Sequence, residues 1–222
     1  DHTRGSSLQN RSQVPRSAAS LKKVTLPSTM TEIPEYMFYG CTALEEVVYL
    51  DRITSIGQYA FYGCTSLANI TYSEQLTTIG ARAFYGCTAL TNGRLPNTIT
   101  SMGTYAFRDC TALTYLTIRT GLKSIPNYAF YNCTGLATVV IPKSVTSISS
   151  SAFTNVDAVF KGYTGSYAET WCGNNSKTFV AIDNMFPVRY VVLNDGSTIY
   201  VDGTKAETMT EDAYVESGTR LT

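Results

Sequence analysis

The sequence has few of the side chains on which catalysis depends. Its single histidine is His2, near the beginning of the chain. Histidine is the residue best suited to proton transfer near neutral pH, so serine–histidine and cysteine–histidine catalysis are nearly excluded. No GxGxxG or other phosphate-binding loop is present. Glu45 and Glu46 are adjacent in a predicted strand, where successive side chains face opposite ways, and solvation explains them better than a catalytic pair. We predict that the chain is not an enzyme and uses no cofactor.

Charge and long apolar runs are also scarce. Charged residues make up 15% of the chain, and 17 basic side chains balance 17 acidic ones. A neutral chain lacks the basic surface that nucleic-acid binding requires. No apolar run approaches the roughly 18 residues needed to cross a bilayer, and the N-terminus shows no signal peptide. We expect a mature or trimmed fragment that is monomeric, binds no nucleic acid and does not insert into a membrane.

What the sequence does contain is a repeat with a period of 23 residues. Two columns hold a single residue type each: Cys41, Cys64, Cys87, Cys110 and Cys133, and Phe38, Phe61, Phe84, Phe107, Phe130 and Phe153. Aliphatic columns share the period: Leu44, Leu67, Leu90, Leu113 and Leu136; Ile33, Ile56, Ile79, Met102, Ile125 and Ile148; Met30, Ile53, Leu76, Ile99, Leu122 and Val145. One coil cannot bury its own apolar side, so such coils stack into a continuous core. The period predicts a mostly β, right-handed solenoid of about six to seven coils, with short parallel strands and little helix.

Other columns predict the path of the backbone within each coil. The position before each cysteine is a residue type that tolerates a left-handed conformation, which predicts a corner with positive φ at Gly40, Gly63, Gly86, Asp109, Asn132 and Asn155. The threonines that follow the cysteines are predicted to cap backbone groups at this corner. One coil is predicted to contain a strand from Leu67 to Tyr72, a second from Leu76 to Ile79, and a tight turn at Ala60-Phe61. Prolines are predicted to end the strands Val24–Leu26, Gly93–Leu95 and Val139–Ile141.

The two ends of the chain depart from the repeat. Residues 1–17 are predicted to be a tail or linker, and residues 18–182 the solenoid with a C-terminal cap at 160–182. In the cap, Ser166 and Glu169 form a capping-box pattern that predicts a short helix over 167–172, ended by a left-handed Gly173 and followed by a strand at Phe179–Ile182. Asp-Gly pairs in residues 183–222 predict a β-hairpin segment, which could begin a further module. Calcium binding by these pairs is the weaker interpretation, since two Asp-Gly turns fall short of a ligand loop.

The repeat unit resembles that of a known family. The segments "IGQYAFYGCTSLANITY" (Ile56–Tyr72), "IPEYMFYGCTALEEVVY" and "IPNYAFYNCTGLATVVI" are similar to the BspA-type leucine-rich repeat. The resemblance covers about residues 18–182, with Ala18 where the first coil would have a cysteine. It implies a bacterial or protozoan protein that is extracellular or on the cell surface, with an adhesive role. The family supplies no catalytic residues to carry over.

Two residue types allow competing interpretations. The cysteine column could pair into disulfides, but parallel side chains stacked in a ladder suit packing better, so we predict buried free thiols. No two cysteines lie close in sequence and no histidine repeats with them, so no metal site is predicted. Sixteen tyrosines, several in period beside the phenylalanine column, could shield the core at a half-exposed edge or form a binding surface.

The strand positions that face outward are the predicted binding surface. If Leu67 and Ile70 point into the core, Asn69 and Thr71 must point outward. Equivalent outward positions differ from coil to coil beside nearly constant core columns, which favours recognition. The candidate residues are Glu46, Asn69, Arg94 and Tyr115, on a concave face that binds an extracellular protein or glycan. The alternative is a rigid spacer within a larger surface protein.

Overall fold

The computed structural model describes residues 20–48 and 51–183, together with the backbone of three strands at 185–192, 198–201 and 212–216. Within these residues the protein is a mostly β parallel solenoid of about seven turns with one helix. In chain order the solenoid strands are β1 (Lys23–Thr25), β2 (Glu32–Ile33), β3 (Glu46–Val48), β4 (Ser55–Ile56), β5 (Thr78–Ile79), β6 (Ser101–Met102), β7 (Tyr115–Thr117), β8 (Ser124–Ile125), β9 (Thr138–Val140), β10 (Ser147–Ile148) and β11 (Val159–Gly162). The predicted fold class is confirmed.

The strands of successive coils pair in parallel on two sides of the solenoid. On one side, which we call the strand face, β1 pairs with β3, and β7, β9 and β11 follow one another in a second sheet. On the other side, β2, β4, β5 and β6 form one sheet and β8 pairs with β10. Partners such as Tyr115 and Thr138, or Ser55 and Thr78, lie one 23-residue period apart. The observed strands confirm the predicted pair of short strands in most coils, with shifted bounds, whereas the coils that contain β5 and β6 have only the second strand of the pair.

The corner before the cysteine column has the predicted left-handed backbone. Its φ angles lie between 59° and 72° at Gly40, Gly63, Gly86, Asp109, Asn132 and Asn155. The corner N–H of one coil donates to the next coil, as from Gly40 to the Tyr62 carbonyl at 2.7 Å. The threonine hydroxyls bond as predicted where Thr65 donates to the Thr42 carbonyl at 3.3 Å. Hydrogen bonds at the corner therefore join successive coils in a part of the coil that has no strand.

The core is one continuous cluster that runs along the solenoid. The phenylalanine rings stack on one another, with centroids 5.0–5.4 Å apart from Phe38 to Phe153. The leucine and isoleucine columns are buried beside them. Each ring covers the faces of its neighbours, so burial of one coil depends on the coils before and after it.

The cysteines are free and buried, as predicted. Each thiol from Cys64 to Cys133 donates to the carbonyl of a phenylalanine in the preceding coil, at 3.0–3.2 Å. Burial raises the pKa of the Cys64 thiol to about 12, and that of Cys133 to about 12 as well. These thiols are packing groups and backbone donors, held in the neutral form.

This burial predicts how the thiols will react. An ordinary thiol becomes more reactive as the pH rises towards its pKa near 8.5, because the thiolate is the nucleophile. The ladder thiols should stay unmodified by iodoacetamide at both pH 7 and pH 9, since a raised pKa keeps them protonated. After denaturation in guanidinium all six cysteines should react. Intact mass spectrometry gives the count, and a native protein with two or more disulfides would contradict the prediction.

The C-terminal cap closes the core with a helix. Helix α1 (Tyr167–Asn174) begins after Ser166, whose hydroxyl accepts the Glu169 N–H at 3.3 Å, while the Glu169 carboxylate accepts from Gly165 N–H at 2.7 Å. Trp171 packs against Phe153 and Phe160, at centroid distances of 5.7 and 5.6 Å. Strand β12 (Thr178–Ala181) then pairs with β11 and extends the strand-face sheet.

One detail of the cap prediction is wrong. Gly173 is not the left-handed residue that ends the helix, because it lies inside α1 and has no positive φ. The left-handed residue after the helix is Ser176, with φ of 53°. The chain continues helically through Gly173 because Asn175 satisfies the last carbonyls, including that of Trp171, through its backbone N–H and its side-chain amide.

Beyond the cap, three strands pair antiparallel. β13 (Met185–Val192) lies between β14 (Thr198–Val201) and β15 (Asp212–Glu216). The pairing of β13 with β14 confirms the predicted hairpin, and β15 is an addition that the Asp-Gly signals did not indicate. The Asp195-Gly196 and Asp202-Gly203 pairs lie outside the described residues, as do residues 1–17. The domain boundaries at 17/18 and 182/183 stay predictions.

Candidate functional site

On the strand face, the side chains predicted to point inward are buried and those predicted to point outward are exposed. Leu67 and Ile70 are buried in the core, whereas Asn69 and Thr71 are exposed. Alternation of side chains along an extended segment explains the division. The outward positions of successive coils therefore share one surface.

That surface contains an interruption between β3 and β7. The segments 69–71 and 92–94 form no strand, and only an isolated bridge joins Arg94 to Thr117. The predicted strand from Leu67 to Tyr72 is therefore wrong, and the predicted strand Gly93–Leu95 is reduced to this bridge. Both segments still carry side chains that reach the surface, since Asn69 and Thr71 are exposed and Asn92 and Arg94 are half-buried.

The side chain of Asn92 accounts for the lost pairing. Its amide nitrogen donates to the Ile70 carbonyl at 3.0 Å, and its amide oxygen accepts the Arg94 N–H at 2.9 Å. A backbone acceptor and a backbone donor are thus satisfied by a side chain instead of by a neighbouring strand. Thr91 adds to this, since its hydroxyl lies 3.0 Å from both the Ala68 carbonyl and the Asn69 side-chain oxygen.

At Gly93, in the same segment, the backbones of two successive coils lie unusually close together. In the other coils this position holds an aliphatic side chain: Val24, Val47, Ile70, Leu116 and Val139. The Tyr115 carbonyl oxygen lies only 1.9 Å from where a Cβ of residue 93 would be. Glycine is required here because of this close approach of backbone to backbone.

The result is an open depression of about 470 Å³ in the strand face. It is lined mainly by polar side chains, among them those of Asn69, Thr71, Thr91, Asn92, Arg94 and Tyr115. Tyr115 stands at its edge in β7 with 42% of its surface exposed. No aspartate or glutamate is among the lining residues. Its lining residues carry amide, hydroxyl, phenol and guanidinium groups, and the Asn92 amide among them already bonds to the backbone.

Three of the four candidate residues from the sequence meet at this depression, namely Asn69, Arg94 and Tyr115. Glu46 does not line it. Its carboxylate pairs with Lys23 of the preceding coil at 2.8 Å, on the exposed surface of β1 and β3. Exposed pairs of this kind contribute little to stability. Glu46 therefore shares the strand face with the other three but lies outside their cluster.

Sequence reasoning missed the interruption itself and the role of Asn92. The available signal was the Asn92-Gly93 pair, which is a turn-forming dipeptide in a position where other coils have strand-forming residues. The 23-residue period concealed this signal, because the flanking core columns continue unchanged through the coil.

A second surface consists of two ladders of tyrosines beside the phenylalanine core. The rings of Tyr36 and Tyr59 are stacked 4.9 Å apart, as are those of Tyr39 and Tyr62. Arg82 replaces tyrosine in the first ladder, 4.6 Å from the Tyr105 ring. In the second ladder, Arg108 lies 4.5 Å above the ring of Tyr131. The ring faces are covered by one another and by these two guanidinium groups, which favours the shielding interpretation of the tyrosines.

The first ladder has a backbone feature that the sequence did not predict. The φ angles lie between 55° and 61° at Tyr36, Tyr59, Arg82, Tyr105 and Tyr128. A bulky residue in this conformation costs of order 1–3 kcal/mol unless the surroundings compensate. Stacked aromatic pairs are each worth about 0.5–1.5 kcal/mol, and cation–π contacts add to them. The ladder contacts thus offset the backbone strain at the same positions.

Two further properties concern the described residues alone. Within 20–48 and 51–183, no three histidine, cysteine, aspartate or glutamate side chains converge in a way that could hold a metal ion. None of the helices found in that part of the chain has the length and apolar character to span a bilayer.

The repeats match a known family. Residues 31–159, more than half of the chain, match the family model described as a BspA type leucine rich repeat region, in six copies. No curated protein matches the chain.

Several solved structures are similar to this chain. A leucine-rich repeat protein from Bacteroides ovatus has a TM-score of 0.60 and 26% identity, over 67% of this chain and 41% of its own length. A leucine rich cell surface protein from Faecalibacterium prausnitzii has a TM-score of 0.59 and 27% identity, over 79% of this chain and 52% of its own. The leucine rich repeat protein of T. pallidum, 24% identical with a TM-score of 0.54, covers 72% of this chain with 86% of its own and shares the fold. The chain thus spans only about half, or less, of the length of the Bacteroides and Faecalibacterium proteins.

Proposed function

The chain belongs to the BspA-type leucine-rich repeat family, and on that premise we propose that it is a non-enzymatic binding module of an extracellular or cell-surface protein. Its strand face would contact a protein or glycan partner. The similar protein from Faecalibacterium prausnitzii, a leucine rich cell surface protein, supports the proposed location.

The observation that carries this proposal is the depression in the strand face. Asn69, Arg94 and Tyr115 come from three successive coils, and stacking brings them together around one cavity. Core columns hold the coils rigidly, so the outward groups are positioned before any partner arrives. Preorganisation of this kind lowers the entropy cost of binding. Tyrosine and arginine are also the residue types that most often dominate binding energies.

A rigid spacer is the second candidate function. The stacked phenylalanines and the tyrosine ladders run along the array without a break in contact between coils, as a spacer would require. A spacer, however, has no use for an opening in its sheet. Gly93 and Asn92, which create that opening, therefore favour binding over spacing.

The test is a binding measurement on a panel of purified extracellular matrix proteins and extracellular glycans, immobilised and probed with the whole chain. Arg94→Glu and Tyr115→Ala should each lower affinity for a bound partner about tenfold or more, since both side chains line the depression. Tyr62→Ala, on the tyrosine ladders, is the matched control and should leave affinity unchanged.

Two results would contradict the proposal. If Tyr62→Ala abolishes binding while Arg94→Glu and Tyr115→Ala do not, the tyrosine ladders are the binding surface. If no member of the panel binds the chain, the spacer is favoured. Circular dichroism of each variant checks that the solenoid remains folded.

A further inference from the structure

The tyrosine ladders begin in the first described coil, where their rings are most exposed. Tyr36 and Tyr39 have 39% and 36% of their surface exposed, and Met37 between them has 37%. Half of the large hydrophobic side chains that are exposed in the described part of the chain lie in this one segment. We call these three residues the terminal aromatic cluster. A concentration of exposed apolar surface, unlike a single exposed residue, is typical of an interaction site.

Each ring of the terminal aromatic cluster is stacked on one side only. Tyr36 stacks on Tyr59 and Tyr39 stacks on Tyr62, both at 4.9 Å. Inner rings have a neighbour on both sides, as Tyr62 has in Tyr39 and Tyr85. Among the described residues no cationic group lies over either terminal ring. One face of each terminal ring is therefore open to a further planar group.

The inner coils show which group fits such a ring face. Arg108 lies in the same column as Tyr39, and its guanidinium is 5.1 Å from the Tyr85 ring and 4.5 Å from the Tyr131 ring. Its Nε donates to the Asp109 carboxylate at 3.1 Å. The cation thus covers the aromatic faces while a carboxylate balances its charge. This arrangement is an internal model for an arginine that binds to the same ladder.

The first coil also has the carboxylates that such an arrangement needs. Glu32 and Glu35 lie shortly before Tyr36, and both are exposed. In the other coils the column of Glu32 holds serine or threonine, and the column of Glu35 holds only uncharged residues. Neither carboxylate forms an ion pair within the described residues. Open aromatic faces and unbalanced negative charge are together complementary to a cation.

We infer that the terminal aromatic cluster binds an arginine side chain of a partner protein, with the guanidinium on the open faces of Tyr36 and Tyr39 and its charge balanced by Glu32 and Glu35. Arginine suits this surface better than lysine, because its guanidinium is planar, weakly hydrated and stacks on aromatic rings. None of these residues lines the depression in the strand face. The inference therefore goes beyond the proposed function and does not depend on it.

The experiment is an NMR titration of the whole chain with isotope-labelled tyrosine. The ligand is a capped Gly-Arg-Gly-Arg-Gly peptide, and matched peptides carry lysine or citrulline in place of arginine. The arginine peptide should shift the ring signals of Tyr36 and Tyr39, which Tyr36→Phe and Tyr39→Phe assign. It should bind more tightly than the lysine peptide. The citrulline peptide keeps the planar shape without the charge and should bind about two- to fivefold more weakly, as the loss of an exposed cation–π contact implies.

One pair of variants tests the aromatic part of the surface. Tyr39→Leu should weaken binding of the arginine peptide about two- to fivefold, because the ring face is lost while the position stays apolar. Tyr131→Leu is the matched control, since it makes the same change in the same column several coils away, and it should leave the affinity unchanged. Tyr115→Ala should also have no effect, which separates this surface from the strand face.

A second pair tests the carboxylates. Glu32→Gln combined with Glu35→Gln should weaken binding of the arginine peptide by up to about fivefold, the range of an exposed ion pair. Glu74→Gln combined with Asp157→Asn is the matched control. It removes the same charge from two exposed positions elsewhere in the solenoid and should leave the affinity unchanged.

The inference is overturned if the arginine and citrulline peptides bind equally well, or if Tyr39→Leu and the double glutamine variant keep the affinity of the parent. The other possible occupant is the basic N-terminal part of this chain, with Arg4, Arg11 and Arg16. If the peptide binds only after these three are replaced by glutamine, that part of the chain occupies the cluster and the inferred partner protein is wrong. Each of these results leaves the proposed function standing, because Tyr115 and the strand face are tested separately.

Discussion

Phe84→Ala is expected to lower the free energy of unfolding by about 3–5 kcal/mol, the usual cost of truncating a buried phenylalanine. Phe84 is fully buried in the middle of the array. Its ring lies 5.1 Å from Phe61 and 5.0 Å from Phe107, and Tyr72 packs against its edge at 6.0 Å. Alanine would leave a cavity between two coils that cannot collapse, because the coils are held apart by their other columns. Urea unfolding followed by circular dichroism gives the measurement.

Phe38→Ala is the matched control at the first coil. Its ring stacks on Phe61 alone within the phenylalanine column, at 5.2 Å. Since each coil contacts only its neighbours, the loss should be smaller than at Phe84. Equal losses at the two positions would show that stability is not distributed along the array as a solenoid requires.

Gly93→Ala is expected to destabilise the chain by about 1–3 kcal/mol, the typical cost of overpacking. A methyl group there would overlap the Tyr115 carbonyl oxygen, 1.9 Å away, and neither backbone can yield easily. The coils must separate beside Asn92, Arg94 and Tyr115, which line the depression, so binding at the strand face should weaken as well. The free energy of unfolding and the affinity for a panel partner are measured on the same preparation.

Gly173→Ala provides the control with the opposite sign. Apart from its chain neighbours and the backbone of its own helix, no atom lies within 4 Å of where its Cβ would be, and the residue is inside α1. Alanine in a helix is favoured over glycine by roughly 0.5–1 kcal/mol, so the variant should be slightly more stable than the parent. Destabilisation at Gly173, or none at Gly93, would contradict this account of the two glycines.

Much of the fold could be predicted from the sequence because successive coils must bury the same side chains and turn the backbone at the same positions. The apolar columns predicted which side chains are buried, and the Gly, Asp and Asn column predicted the left-handed corner that is observed from Gly40 to Asn155. The capping pattern at Ser166 predicted the helix, although not its last turn. Such predictions succeed because they depend on local backbone preference and on period alone.

The strained positions of the tyrosine ladder show where local preference fails. Tyr59 and Arg82 adopt a left-handed backbone that neither residue type favours. Contacts with rings in the adjacent coils compensate for the strain, so the conformation depends on residues 23 positions away. A sequence pattern shows that these residues repeat but does not show which backbone they adopt.

For the candidate site too, some features could be predicted from the sequence and others could not. Alternation along the strand was enough to place Asn69 and Tyr115 on the outward side. The depression around them lies where Asn92 bonds to backbone groups of its own and the preceding coil and where the Tyr115 carbonyl approaches Gly93. The sequence by itself therefore determined the solenoid, its core columns and its outward face, since these follow from one coil repeated. Only the tertiary structure decided where that face opens, because the opening depends on distances between coils that differ from the repeat.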